Sequence, residues 1–436
     1  MVQDPKIQRR QFLVGGAVAA AGLGLSGSLG GYPAAARKLK YGVVGAGFRS
    51  RDAHLPILRH LVPEVEIVAL SDITPENLQA GLRVCGGKTV GYADHREMLS
   101  EHPDLDAVIV VVPNYKHAEI SLDALNAGKH VLTEKPIATS MADAQRMIDT
   151  ATTRGRILEV GFEMRYLAGN ARLAELLRQG AIGDLEYVHA ALLRGDWNPR
   201  SWKYTDPVTG KRTNWRYLRV TEGAALLEDG IHELDVIHWL VGAEPRKITA
   251  LGGNNVYQHR QTLDNAAVLI EFANEVRCDF AFSLFTPIPD GVHIRLFGSK
   301  GMMELEGWMD VSTPQAVLIQ PYHGKAERIP IPRYTTPEER NAWVMSGTDE
   351  EKIAWPQKET ATTSNAPDGK KIVASSRSQL IVASYRMHQA FVTAIRTGKQ
   401  PFSDGKAGMD AMHISLAATH SIRTGKVLDW EDEEGL

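Results

Sequence analysis

A glycine-rich turn follows the first apolar run of the chain beyond its N-terminal segment. Tyr41–Val44 is predicted to be a strand, and the residues up to about Leu61 are predicted to be a helix. The turn between them has the spacing of a dinucleotide-binding fingerprint, in which the first glycine permits a tight turn and the second admits a pyrophosphate. Its residues are Gly45, Ala46, Gly47, Phe48 and Arg49, with Ser50 at the position of the third glycine. These residues are therefore predicted to bind a dinucleotide cofactor at the start of a helix.

An acidic residue follows the second predicted strand, Val65–Leu70. Asp72 lies about 25 residues beyond the glycines, where a carboxylate binds the adenosine ribose hydroxyls and repels a 2′-phosphate. The sequence therefore favours NAD. NADP stays open, since Arg49 or Arg51 would accommodate a phosphate, and Asp72 is alternatively a simple helix cap.

The alternation of strands and helices continues to about residue 163. The unbroken Ala-Val-Ile-Val-Val-Val run within Asp106–Val112 is typical of a strand buried on both faces. This pattern predicts a doubly wound parallel sheet, a Rossmann domain over residues 37–163.

Longer strands with period two follow after about residue 164, and they predict an open, mainly antiparallel sheet in a second α/β domain. That domain is assigned to residues 164–376, with a polar insertion or surface loop near 325–376. A final helix, about Gln379–Arg396, and the tail within 377–436 are predicted to pack back on the body. One helix, about Gly223–Leu240, interrupts the strands.

Further motifs resemble the glucose-fructose oxidoreductase/inositol dehydrogenase/rhizopine-catabolism family. They are Pro113-Asn114-Tyr115-Lys116-His117, the segment 127–136 that ends in Glu134-Lys135-Pro136, Arg165, Trp215-Arg216 and Gly223–Asp235. The resemblance covers about residues 38–320 and 376–430.

The resemblance implies a Rossmann domain, a second domain with an open antiparallel sheet, and activity on sugars, sugar alcohols or inositols. It implies that Lys135 is the catalytic lysine between nicotinamide and substrate, and that Pro113, Asn114, His117 and Glu134 line the cofactor. A partly desolvated lysine beside a cationic nicotinamide has a lowered pKa and is suited to accept a hydroxyl proton. Pro136 is expected to fix the backbone there, through either a trans or a cis bond.

Polar residues of the predicted helix 223–240 share one face. Glu228, His232, Asp235 and Trp239 are spaced for this arrangement. His232 is the expected general acid/base, its pKa raised by a carboxylate neighbour. The family pattern has Asp where this chain has Glu228, so the carboxylate that orients His232 stays open between Glu228 and Asp229, which is adjacent to it, and Asp235. Asp235 is expected to orient His232 or to bind a sugar hydroxyl. A satisfied core histidine is the structural alternative.

Aromatic residues cluster before that helix, interleaved with basic ones. Tyr204, Trp215 and Arg216 are expected to contact a sugar, together with Trp197 and Trp202, and the alternative is loop packing or a dimer contact. No metal-binding spacing is present, and a catalytic metal is not expected.

The sequence of residues 1–36 predicts an export signal. Lys6, Arg9 and Arg10 precede an uncharged apolar stretch rich in glycine, and Ala34-Ala35-Ala36 offers a cleavage site. The run Arg9-Arg10-Gln11-Phe12-Leu13 resembles the twin-arginine motif, so export of the folded protein to the periplasm or beyond is predicted. A membrane anchor is the alternative, but so many glycines disfavour a stable span.

The charge balance argues against a polyanionic partner. Lys and Arg total 49 and Asp and Glu total 52, which gives a net charge of −3, so nucleic acid binding is not expected. With two cysteines the chain is no disulfide scaffold, and Cys278 is predicted to be a buried thiol because it lies in an alternating apolar run.

These observations predict an exported NAD(P)-dependent oxidoreductase acting on a carbohydrate or polyol, with a tightly held and self-recycled cofactor. The alternatives are an NAD-dependent glycoside hydrolase working by transient oxidation, and a cofactor-bound binding protein without turnover. The open sheet suggests pairing into a homo-oligomer.

Overall fold

The computed structural model describes residues 37–195, 203–205, 210, 212–222, 225–286, 291–306, 315–332, 335–339, 362–365, 371–374 and 376–431. The predicted signal at 1–36 therefore lies outside the described residues, as do Trp197 and Trp202 and the side chain of Tyr204.

The first sheet has six parallel strands in the order β3-β2-β1-β4-β5-β6, the strand order of a Rossmann fold. Its strands are β1 (Leu39–Val44), β2 (Val65–Ser71), β3 (Val90–Tyr92), β4 (Ala107–Val110), β5 (His130–Thr133) and β6 (Leu158–Val160). The helices of this part are α1 (Leu55–His60), α2 (Pro75–Cys85), α3 (His95–Glu101), α4 (His117–Asn126), α5 (Met141–Arg154) and α6 (Ala168–Arg178). The predicted doubly wound sheet is confirmed, although β3 and α3, both short, were not predicted.

From β1 the chain adds β2 and β3 on one side of the sheet and then β4, β5 and β6 on the other side. The strand order therefore switches between β1 and β4, which pair directly. A crevice opens at the carboxyl ends of the strands where the order switches, and ligands of doubly wound folds bind there. The glycine turn after β1 and the motif after β4 both lie at this crevice.

The second sheet has nine strands in the order β16-β15-β14-β13-β7-β12-β11-β10-β19. Among the strands of this sheet that the structure describes, only β7 and β12 pair in parallel, so the predicted mainly antiparallel sheet is confirmed. Its strands are β7 (Leu185–Leu193), β10 (Pro245–Gly253), β11 (Asn265–Phe272), β12 (Arg277–Ser283), β13 (Gly291–Gly298), β14 (Gly301–Glu306), β15 (Ala316–Pro321), β16 (Glu327–Pro330) and β19 (Leu428–Asp429). Two small hairpin sheets pair β8 (Lys203–Thr205) with β9 (Arg212–Asn214) and β17 (Thr362–Asn365) with β18 (Lys371–Ala374).

One face of this sheet is buried and the other is open. Cys278, Phe280 and Phe282 point inward from β12, and the thiol of Cys278 is buried and unpaired with Cys85, as expected. On β10 and β11, Leu251 and Leu269 are exposed on the opposite face.

The predicted helix 223–240 is not a uniform α-helix. Residues Leu226–Gly230 form a wider π-turn, and the α-helix α8 covers Ile231–Val241. A short helix, α7 (Arg219–Glu222), precedes them. The π-turn changes the register of Glu228 relative to the helix that carries His232.

Two corrections concern the C-terminal part. The helix predicted at Gln379–Arg396 is α9 (Ser376–Thr397), but it is not the final one, because α10 (Gly405–Thr424) follows and packs on β10 and α8. The polar stretch 325–376 is not loop from its start: Glu327–Pro330 pairs with β15, and Glu339 forms an ion pair with Arg386 of α9. This edge strand is short and largely exposed, so it shows no clear alternation of polar and apolar residues in the sequence.

Among the residues described, none of the helices combines the length and apolar character needed to cross a membrane.

Candidate active site

The glycine turn forms a cradle at the end of β1. Gly45 has φ 97°, and a Cβ there would lie 1.9 Å from the carbonyl oxygen of Val111, so only glycine fits. A Cβ on Gly47 would meet nothing within 4 Å, which leaves open space against the backbone. That space is where a pyrophosphate lies in a fold of this order, so the residues present fit a dinucleotide.

Asp72 lies beside the cradle. Its Oδ2 accepts the backbone N–H of Ala46 at 2.7 Å, and its Oδ1 accepts that of Thr74 at 2.8 Å. Both the predicted ribose position and the alternative role of a turn residue agree with these contacts. Arg51 donates to Ala46 O at 3.0 Å and to Asn77, which keeps it near the cradle.

Arg49 has contacts that its sequence position did not predict. Its Nε donates to Glu134 Oε1 at 2.6 Å and its guanidinium donates to Glu163 Oε1 at 3.0 Å. These bonds pair Arg49 with two buried carboxylates, which need a cation. Its predicted contact with the cofactor stays a prediction. Phe48, next to it, lies in the turn that leads into the helix.

His117 contacts two segments that border the crevice. Its Nδ1 lies 2.6 Å from Pro136 O and its Nε2 lies 2.8 Å from Val112 O, and burial lowers its pKa. A carbonyl oxygen only accepts, so a neutral His117 ring donates to one of these two oxygens and lies between the two segments. Its expected contact with the cofactor stays a prediction. Pro113 precedes the 3₁₀ turn Asn114–Lys116, and the Lys135–Pro136 bond is cis.

Lys135 reaches from the first domain to the second. Its Nζ donates to the main-chain carbonyl of Glu228 and lies 3.5 Å from Glu228 Oε1. Burial, together with the charge of Arg216, lowers the pKa of Lys135 to about 8, against the opposing influence of Asp229, Glu134 and Glu163.

Glu228 contacts residues from three different parts of the fold. Besides Lys135, it accepts the side-chain amide of Asn114 at 2.8 Å and forms an ion pair with Arg216, and it is almost wholly buried. Asp229 next to it is paired with Arg194 at the end of β7. Arg216, predicted as a weaker substrate residue, therefore lies at the lysine, with its guanidinium carbon 5.5 Å from the ring of Trp215.

His232 differs from its predicted electrostatics. Burial and the charge of Lys135 lower its pKa well below the usual range, where a raised pKa was expected. Its ring packs edge-on against Phe162 at 6.1 Å, and its buried Nδ1 has no hydrogen-bond partner among the described residues. The ring is thus neutral at physiological pH.

The predicted role of Asp235 as orienter of His232 is wrong. Its two oxygens each accept a guanidinium N–H of Arg165 at 2.7 Å, and Arg165 also donates to Phe402 O at 3.0 Å. Asp235 and Arg165 are both buried, so each neutralises the other. Trp239 also lies there, its ring 5.0 Å from that of Phe402. Asp235 thus binds α8 to the segment before α6, and Trp239 packs α8 against the C-terminal part.

Sequence reasoning missed Glu163 and Arg194. Both come from segments with no recognisable motif, and only their contacts with Arg49 and Asp229 reveal them. A buried carboxylate next to a helix start carries no signal of its own in the sequence.

One group of the described residues converges as metal ligands do: His238, Glu244 and Asp410. Lys406 donates to Glu244 at 3.1 Å and to Asp410 at 2.6 Å. The ammonium supplies the positive charge that these carboxylates need.

The comparison with known proteins decides the family. The family model described as "Oxidoreductase family, NAD-binding Rossmann fold" matches residues 39–162, and the "GFO/IDH/MocA C-terminal domain" matches residues 170–304. The chain belongs to the Gfo/Idh/MocA oxidoreductase family. It is an NAD(P)-dependent oxidoreductase, and its first domain is the one that binds the cofactor.

Relatives and solved structures of the Gfo/Idh/MocA family agree with this. Inositol 2-dehydrogenase of Salmonella typhimurium is 31% identical over 276 residues, 61% of this chain and 74% of that one. A 2,7-anhydro-N-acetylneuraminate hydratase of Mediterraneibacter gnavus is 27% identical over 61% of this chain and 70% of its own length. The scyllo-inositol dehydrogenase of Lactobacillus casei, solved with NAD(H) and scyllo-inositol, has the same fold, with a TM-score of 0.66 at 20% identity over 90% of this chain and 99% of that one.

Proposed function

We propose that this protein oxidises a hydroxyl-bearing carbon of a sugar, polyol or glycoside, or reduces the corresponding carbonyl, with Lys135 transferring the proton and His232 orienting the substrate. The observation that carries the proposal is the position of Lys135. Its ammonium meets Glu228 of the second domain at the crevice where the strand order switches, and its pKa is about 8. A lysine with that pKa exchanges protons readily near neutral pH.

The nicotinamide, when bound, supplies the hydride acceptor. In the oxidative direction, neutral Lys135 accepts the proton of the substrate hydroxyl. Glu228 then holds the resulting ammonium through its carboxylate and its carbonyl. The buried Nδ1 of His232 has no hydrogen-bond partner among the residues described. In the neutral tautomer that carries its proton on Nε2, Nδ1 accepts a hydrogen bond from a substrate hydroxyl group and orients the substrate beside Lys135.

In this proposal the protein binds two parts of NAD(P), the pyrophosphate and the adenosine ribose. Gly45, Ala46 and Gly47 receive the pyrophosphate, and Asp72 binds the adenosine ribose and favours NAD. Arg216 and Trp215 border the substrate beside Glu228, and Tyr204 keeps its place as a weaker candidate.

The class of substrate is supported by the relatives. Inositol 2-dehydrogenase acts on a polyol, and the hydratase is named for a sugar conversion whose overall reaction is not a redox reaction. The second name favours keeping the alternative in which transient oxidation serves glycoside cleavage or another reaction without net redox change. A cofactor-bound binding protein is the remaining alternative, and it gives no reason for a buried lysine with a lowered pKa.

Export by the twin-arginine route is part of the proposal. It rests on Arg9-Arg10-Gln11-Phe12-Leu13 and the weakly apolar stretch that follows. Since free nicotinamide cofactor is scarce outside the cytoplasm, an exported enzyme would keep its cofactor and regenerate it within one cycle. We also propose pairing of two chains through the open sheet face that exposes Leu251 and Leu269.

The test begins with the protein purified from its native host without added cofactor. Denaturation followed by mass spectrometry is expected to release stoichiometric NAD or NADP. The retained cofactor is then followed by absorbance at 340 nm against inositols, aldoses and aryl glycosides. Lys135→Ala is expected to abolish turnover with cofactor still bound, whereas Lys116→Ala, a surface control in the same domain, is expected to behave as wild type. Full turnover in Lys135→Ala would contradict the proposal.

A further inference from the structure

Two buried histidines connect the glycine turn with the C-terminal helix α9. His54 ends the π-turn Ser50–His54 that follows the cradle, and His388 lies on α9. Nδ1 of His54 is 3.0 Å from Nε2 of His388, and Nε2 of His54 is 2.8 Å from Glu134 Oε1. Both histidines are fully buried, so this chain of bonds is closed to solvent.

The donors and acceptors of this chain follow from Glu134. An ionised carboxylate only accepts, so Nε2 of His54 carries a proton and donates to Glu134. With a single proton on that ring, Nδ1 is the acceptor and His388 donates to it from Nε2. Burial, together with the charge of Arg49, lowers the pKa of His388 well below its usual range, so the ring is neutral and can donate. His388 thus fixes the tautomer in which His54 donates to Glu134.

Glu134 is held at both oxygens. Oε1 accepts from Arg49 at 2.6 Å and from His54, and Oε2 accepts the backbone N–H of Lys135 at 3.2 Å. The side chain of Lys135 points the other way, to Glu228. Glu134 and Lys135 are adjacent in sequence and opposite in charge, but their side chains contact different partners.

We propose that His54 and His388 are positioning residues that hold the Glu134 carboxylate on Arg49 and away from the Lys135 ammonium. The inference rests on the proposed role of Lys135. When this hold is lost, the carboxylate is free to turn toward the ammonium, and an opposite charge within about 4–6 Å favours the protonated lysine. Lys135 then stays protonated near neutral pH and is less able to accept a proton.

Substitution of His54 or His388 does not alter the other charged or titratable groups that face Lys135. They are Arg216, Asp229, Glu163, Glu228 and His232. Those facing His54 and His388 are Glu134 and Arg49. Among the described residues, hydrogen bonds connect His388 to the backbone of Lys135 through His54 and Glu134.

The test measures the titration of Lys135 without any substrate. The full-length protein with NAD bound is labelled with a trace of acetic anhydride between pH 6 and 11, and acetylation of the peptide containing Lys135 is quantified by mass spectrometry. The wild-type midpoint is expected at the pKa of about 8. In His388→Leu we expect it to rise by about one unit. His388→Gln, whose amide supplies the same donor, is expected to restore the wild-type midpoint. Ser384→Ala, a buried residue one turn earlier on α9, is the control for the helix and is expected to leave it unchanged.

A midpoint that is unchanged or lower in His388→Leu would overturn the inference. So would an equal rise in His388→Gln, since loss of packing rather than of the hydrogen bond would then be responsible. If His388→Leu does not fold, His54→Leu and His54→Gln make the same comparison, because only glutamine still donates to Glu134. Turnover by Lys135→Ala would refute the proposed function alone, since the labelling reports the position of Glu134 whether or not Lys135 is catalytic.

Discussion

Lys135 of the first domain donates a hydrogen bond to the main-chain carbonyl of Glu228, on the π-turn that introduces α8 of the second domain. The contact brings a group at the end of a parallel strand to a carboxylate and an arginine of the other domain. It also excludes water from the ammonium, and this burial is the main cause of its lowered pKa.

The pH dependence of alcohol oxidation follows from Lys135. Neutral lysine is the base, so kcat/KM is expected to rise with pH and to level off above the pKa of about 8. Arg216→Gln removes the cation that lowers this pKa, so the midpoint is expected to move to higher pH. The measurement is kcat/KM from pH 6 to 10 for both proteins. A midpoint that moves to lower pH in the variant would contradict the assignment.

Gly45 and Gly47 are expected to respond differently to alanine. Gly45→Ala places a Cβ against Val111 O at a positive φ, so it should lower the free energy of unfolding by at least about 2 kcal/mol. In Gly47→Ala the Cβ enters open space, so stability should change by less than about 1 kcal/mol while NAD binding is lost. Urea denaturation and NAD titration separate the two effects. Unimpaired NAD binding by Gly47→Ala would place the pyrophosphate elsewhere.

Asp72 is expected to set the preference for NAD. Asp72→Ala removes a charge that repels a 2′-phosphate and frees the backbone N–H of Ala46. The ratio of the Kd values for NADP and NAD should fall by about tenfold or more. Isothermal titration of both cofactors measures it. Asn77→Ala, beside Arg51 but uncharged, serves as a control that should leave the ratio near that of the wild type.

The pair Arg165–Asp235 is expected to act on stability. Asp235→Leu leaves a buried guanidinium without its partner, which typically costs about 3–5 kcal/mol in the free energy of unfolding. The double variant Arg165→Met with Asp235→Leu should recover a large part of that loss, since no charge stays buried. Urea denaturation of the single and double variants tests this in a double-mutant cycle. Additive losses would mean that the two side chains do not act as a pair.

Much of the fold was predictable because its signals are local. The spacing of Gly45 and Gly47 after an apolar strand, the buried run before Val112 and the alternating run through Cys278 each describe one element and its burial. The motif Glu134-Lys135-Pro136 also identified the residue that now lies at the domain junction. Short elements such as β3 and the edge strand β16 were missed, because a few residues of mixed polarity carry little periodicity.

The partners of charged residues were decided by the tertiary structure alone. Asp235 and Glu228 looked alike on one predicted helix face, but the first pairs with Arg165 and the second contacts Lys135. Arg49, in the middle of the glycine motif, turned to Glu134 and Glu163 instead. His54 and His388 are separated by 334 residues and form one hydrogen bond. The chain by itself determined which elements form and which carry reactive groups, because periodicity and turn chemistry are local properties. Which charges meet, and therefore the direction of each pKa shift, depended on how helices pack around the two sheets, and packing brings together residues with no relation in sequence.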